Sequence, residues 1–202
     1  MLVTTLNKIK SHNPCKCGWG ALLKHLGKTK SDDDSLSFLT ILESNGLDDA
    51  LWCMKSAPEY KKECRLFAVL CARQVQHLMT DERSISALDV AEKFANGYAT
   101  REELSAASEA SWAAARATAS EASWAASWAA ARAAASEASW ATASEASWAA
   151  ARAAARSAAC SAACSAAWDA AWDAACAATW DAACDAARDA QKEQFIKIIA
   201  GD

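Results

Sequence analysis

Apolar and polar positions follow one rhythm along the first half of this chain and another along the second, and the change falls near Thr100. Before it, apolar residues recur at the three- and four-residue intervals of amphipathic helices. Leu22, Leu23 and Leu26 share a face of a helix predicted over 19–26, which Gly27 can stop. A second helix is predicted over 36–42, behind Asp32, Asp33 and Asp34, whose charges suit the positive end of a helix. Asn45-Gly46 marks a turn. A short helix over 47–55 turns Leu51, Trp52 and Met54 inward. Pro58 opens the next, with Leu66, Phe67, Val69, Leu70, Val75 and Leu78 on its apolar face. Another spans 84–94, carries Ile85, Leu88, Val90 and Ala91, and ends at Gly97. Thr100 and Glu103 have the spacing of a capping box. No segment shows convincing strand alternation.

From Leu104 the chain counts in fours. A distinctive residue falls at Trp112, Arg116, Ser120, Trp124, Trp128, Arg132, Ser136, Trp140, Ser144, Trp148, Arg152, Arg156, Cys160, Cys164, Trp168, Trp172, Cys176, Trp180, Cys184 and Arg188, without a phase slip. Two positions after each comes Ala, or Thr at 118 and 142. The block Ser-Glu-Ala-Ser-Trp starts at 108, 120, 136 and 144, so its gaps of 12, 16 and 8 are all multiples of four. Ala is the best helix former, it fits strands poorly, and neither Gly nor Pro occurs from Tyr98 to Ala200. The repeat therefore reads as helix. As a single rod, 87 residues would span roughly 130 Å. Folding back would need phase-preserving loops without Gly or Pro, which makes the rod the stronger expectation. Four residues turn a helix by about 400°, so the stripe advances about 40° per repeat, and a period above 3.6 wraps right-handedly. The predicted class is all-α: a compact helical domain over 1–100, then a right-handed-wrapping tetrapeptide-repeat helical region over 101–202 with a short C-terminal tail.

Composition sharpens this picture. Hydrophobic letters make up 53% of 202 residues, yet no Leu, Ile, Val, Met or Phe lies between Ser105 and Gln194. Eight of the ten Trp stand in the four-residue row. That row has two open readings. Trp, Cys and Ser can fill a packing seam, since an aromatic buries roughly 150–250 Å². Alternatively, fixed Ala columns carry one variable column, which is how repeat proteins present binding surfaces; Trp and Arg dominate interface hot spots. The candidate binding residues are then Trp112, Arg116, Trp124, Trp128, Arg132, Trp140, Trp148, Arg152, Trp168, Trp172 and Trp180.

A net charge of −4 gives no general electrostatic attraction to nucleic acid. A nucleic-acid-mimicking row of Asp169, Asp173, Asp181, Asp185 and Asp189 is interrupted and offset by five Arg in the same region. No apolar run approaches the ~20 residues that span a bilayer, and Lys8, Lys10, His12 and Asn13 interrupt any signal core. A cytosolic protein without membrane contact is expected, its nine Cys free thiols. His12, Cys15 and Cys17 lack the paired spacing of a zinc site, so an N-terminal loop with free thiols is expected and no metal or cofactor. Cys53, Cys64 and Cys71 lie on apolar faces as small buried fillers. Asp48 and Asp49 read as acids at a helix start. No phosphate-binding Gly loop, Ser-His-Asp set or HExxH occurs, so no enzyme is expected.

The stretch Leu36-Ser-Phe-Leu-Thr-Ile-Leu-Glu-Ser-Asn-Gly-Leu-Asp-Asp-Ala-Leu-Trp-Cys53, followed by Arg65-Leu-Phe-Ala-Val-Leu-Cys-Ala-Arg73 and Ala87-Leu-Asp-Val-Ala-Glu92, resembles the immunity-protein family of bacterial polymorphic toxin systems, which phages also carry. The resemblance covers roughly residues 14–107; the repeat is similar in style to the Ala/Trp/Arg-rich ends of that family. It implies a helical, non-enzymatic protein that acts by binding another protein, a toxin or a defence factor, and implies no catalytic residues. The alternative expectation is a structural oligomerisation rod, a homo-oligomer assembled through the repeat.

Overall fold

The computed structural model of the chain describes residues 1–117, 125–126, 128–131, 148–155 and 172–201, with the backbone alone for 172–181. The architecture is all-α with one minimal sheet. Strands β1 (Val3–Thr4) and β2 (Leu36–Ser37) pair antiparallel, Val3 opposite Ser37 and Thr4 opposite Leu36. Reading no strand from the sequence was therefore incorrect, because two residues are too few to display a period of two.

The helices are α1 (Leu6–Ser11), α2 (Lys16–His25), α3 (Phe38–Asn45), α4 (Leu47–Cys53), α5 (Lys61–Gln74), α6 (Glu82–Ala95), α7 (Arg101–Ala117) and, at the end of the chain, α8 (Trp172–Ala200), with residues 128–131 and 148–155 also helical. The starts of α1, α2, α3, α6 and α7 follow from side chains that satisfy first-turn N–H groups. Ser37 caps α3, its hydroxyl accepting from Thr40 N at 3.0 Å. Asp32 and Asp34 instead close on Lys28, at 2.6 and 2.8 Å, and brace the loop before β2. Asp81 accepts from Arg83 N at 2.9 Å and starts α6 at Glu82, ahead of the predicted Ser84. Gly46, at φ 83°, makes the turn between α3 and α4. Pro58 opens a 3₁₀ turn over Pro58–Tyr60 that leads into α5. The capping box is present: Glu103 N donates to Thr100 Oγ1 at 3.1 Å, and Thr100 N donates to Glu103 Oε2 at 2.7 Å.

The core gathers Phe38, Ile41, Leu51, Phe67, Cys71 and Leu88, and it continues past Thr100 into Leu104, Phe195 and Ile199. The Phe195 ring meets Phe67 edge-on, centroids 5.3 Å apart, and Leu2 N donates to the Ile199 carbonyl at 2.8 Å. What the sequence presents as a short tail is the end of α8, and its bulky residues are buried in the core of the first half.

The repeat does not project as one rod. Trp112 and Trp128 are 16 positions apart, which along one helix is roughly 24 Å. Their ring centroids lie 6.1 Å apart, and the Ser108 hydroxyl donates to the Ala131 carbonyl at 3.2 Å. The stretches around these residues therefore lie side by side. The physical reason is burial: a bare rod would leave its Ala columns in water. Here Ala114, Ala115, Ala125, Ala126, Ala129, Ala130 and Ala131 are all buried. Small side chains also let α6 and α7 approach closely, so that Ser111 reaches Ser84, hydroxyl to hydroxyl, at 3.3 Å inside the interface.

Candidate functional site

The central repeat helix shows what a unit of four does. Over 148–155, Ala149, Ala150, Ala151, Ala153 and Ala155 are buried, whereas Trp148 is 45% exposed and Arg152 is exposed. The small residues turn inward, with Ala154 alone half-buried, and the large residue faces out. At the end of α7 the division is only partial: Ala114 and Ala115 are buried and Arg116 is exposed, but Trp112 and Ala113 are both half-buried and Ala117 is exposed. The drift of about 40° per repeat is small over so few turns.

Trp148 has a built environment. The Arg188 guanidinium lies over its ring at 4.4 Å, donates to Gln191 Oε1 at 3.0 Å and pairs with Asp48 in the first turn of α4. Gln191 is fully buried. One cation thus ties the repeat, α8 and the first half of the chain together beneath an exposed indole. A cation–π contact at such a site contributes about 0.5–1 kcal/mol.

The other predicted binding residues fall in three groups. Trp112 and Trp128 face each other and are half-buried, packing across the repeat. Trp148, Arg152 and Arg116 reach the surface. Trp124, Arg132, Trp140 and Trp168 lie outside the described residues, as do the side chains of Trp172 and Trp180.

A second feature lies in the first half. A cavity of about 210 Å³ opens between α1, α2, α3 and α4, walled by Ile9, Trp19, Leu22, Ile41 and Trp52. Its polar side carries Cys15, Asn45 and Asp49. The Asn45 amide donates to the Gly18 carbonyl and to Asp49 Oδ2, each at 2.8 Å. Gly18 leaves room for this arrangement, because a Cβ there would stand 2.6 Å from Asp49 Oδ2. Lys55 Nζ sits 3.3 Å from the centroid of the Trp52 ring.

Cys15 is the N-cap of α2: Gly18 N donates to its sulfur at 3.2 Å. Cys17 lies in the first turn, and the two Sγ atoms are 3.2 Å apart. The loop of thiols expected at this point is thus a helix cap. The hydrogen bonds from Cys17 and Gly18 N lower the Cys15 thiol below its ordinary value, against the opposing charge of Asp49. Burial does the reverse elsewhere, pushing the Cys53 and Cys64 thiols up to about 12 and raising Cys71 as well. Those three are fillers of the core and poor nucleophiles. Among the described residues, no group of three His, Cys, Asp or Glu side chains could hold a metal ion. No helix among them is long and apolar enough to cross a membrane.

Sequence reasoning singled out Cys15 and Cys17 but missed the cavity beside them. Its walls come from four helices, which no local spacing reveals; the available signal was Asn45 and Asp49 at i, i+4 next to a Cys-x-Cys-Gly start. Comparison with family models, with curated proteins and with solved structures finds no match for this chain.

Proposed function

We propose that this chain is a non-enzymatic protein-binding factor of bacterial or phage conflict, resembling an immunity protein or inhibitor that sequesters a toxin or defence protein. The observation that carries the reading is the surface row of the repeat: Trp148 at 45% exposure beside exposed Arg152, with every intervening Ala buried. The Arg188 contact covers one face of the indole and leaves the rest in water, and Trp and Arg are the side chains that dominate interface energies. The buried Ala lattice fixes their positions in advance, which reduces the ordering cost of binding. The resemblance of roughly residues 14–107 to immunity proteins supplies the class of partner. The oligomerisation rod has less support, because most of the described Ala residues of the repeat, such as Ala129 to Ala131 and Ala149 to Ala151, are already packed within one chain.

The test is affinity capture from the bacterial host, with the wild-type chain and a W148A/R152A variant run side by side. The reading expects a partner protein held by the wild type and lost by the variant at unchanged helicity. Capture of nothing but further copies of this chain would overturn it.

A further inference from the structure

Cys15 and Cys17 carry chemistry that protein binding does not use. Both are exposed, and Cys53, Cys64 and Cys71 are buried. The two sulfurs stand 3.2 Å apart, just beyond the roughly 2.0 Å of a disulfide. Cys15 is fixed by the helix it caps, its sulfur receiving Gly18 N–H at 3.2 Å. That contact, together with the N-terminal end of a ten-residue helix, favours the thiolate. Asp49 opposes it, its carboxylate lying beside the same face of Gly18 as the Cys15 sulfur.

We propose that Cys15 and Cys17 form a thiol–disulfide exchange site whose oxidant is a low-molecular-weight disulfide. The Cys15 thiolate attacks one sulfur of the disulfide, forming a mixed disulfide and releasing one thiolate, which takes a proton from solvent. Cys17 loses its proton and attacks the Cys15 sulfur, breaking the mixed disulfide and releasing the second thiol. Two electrons pass from the Cys15–Cys17 pair to the small disulfide, which leaves as two thiols. Cys15 is the attacking residue because it alone has the Gly18 contact; Cys17 is the resolving residue because it lies within reach on the same turn. The switch borders the cavity, since Cys15 is part of its wall beside Trp19 and Trp52.

The test equilibrates the full chain with oxidised and reduced glutathione at a series of ratios, blocks free thiols and digests with trypsin. Lys16 lies between the two cysteines, so cleavage there separates them and only their disulfide keeps the two peptides joined. The joined pair is expected to appear as the oxidised share rises and to vanish on adding dithiothreitol. C17S is expected to stop one step earlier, with one glutathione held on Cys15, and C15S to lose both products. The proposal is overturned if the peptides separate at every ratio, or if C17S retains no glutathione on Cys15. Far-UV circular dichroism of both variants excludes unfolding as the cause, because each change replaces an exposed thiol by a hydroxyl that can still cap or face solvent.

Discussion

Phe195, near the end of the chain, sets its ring edge-on against Phe67 of α5 at 5.3 Å between centroids. Both rings are fully buried, so the two halves of this chain share one core. Replacing Phe195 by Ala removes an aromatic from that core and should cost about 3–5 kcal/mol, read as a lower urea midpoint for a single cooperative transition. Two separate transitions, with the first half unaffected by F195A, would show that the halves fold independently.

The unit of four makes a prediction about length. Removing the four residues 149–152 turns the rest of the helix by about 400°, close to a full circle, whereas removing 149–150 turns it by about 200° and swaps the faces. The four-residue deletion should keep most helicity and a cooperative melt. The two-residue deletion should drive large side chains toward the Ala layers and lose that melt. Equal melting curves for the two would mean that the period has no structural role.

Cys15 carries a pH signature. Its thiol is lowered by the Cys17 and Gly18 hydrogen bonds, so its thiolate persists to lower pH than in the unfolded chain. The pH profile of Cys15 alkylation should therefore have its midpoint below the one measured in denaturant. Asp49 raises the same thiol, so D49N should move the midpoint further down. A native profile coinciding with the unfolded one would remove the cap as an influence on reactivity.

Much of the first half could be read from its letters. Gly46, Gly97 and the Thr100–Glu103 box are signals that act over three or four residues, and the structure uses each of them. The aspartates 32–34 misled because a nearby lysine, Lys28, takes Asp32 and Asp34, and Ser37 stands closer to the helix. The fold-back of the repeat was not legible, since Ala-rich sequence is equally good helix whether exposed or packed. The Trp112–Trp128 and Ser108–Ala131 contacts decide it. The final Phe195, Ile196, Ile198 and Ile199 were the missed clue: bulky residues returning after ninety positions of Ala, Ser and Trp are not a tail. The cavity beside Cys15 was hidden for the same kind of reason, as its walls meet only after four helices have packed.

Binding by the outward row is the central claim, and the affinity of the purified, captured partner for wild-type and W148A/R152A chains tests it most directly. Isothermal titration should show the double variant weaker by at least about 2 kcal/mol, the scale of an interface hot spot, which is roughly thirtyfold in Kd, with circular dichroism unchanged. Equal affinity for the two chains would contradict the account and place the partner on another surface.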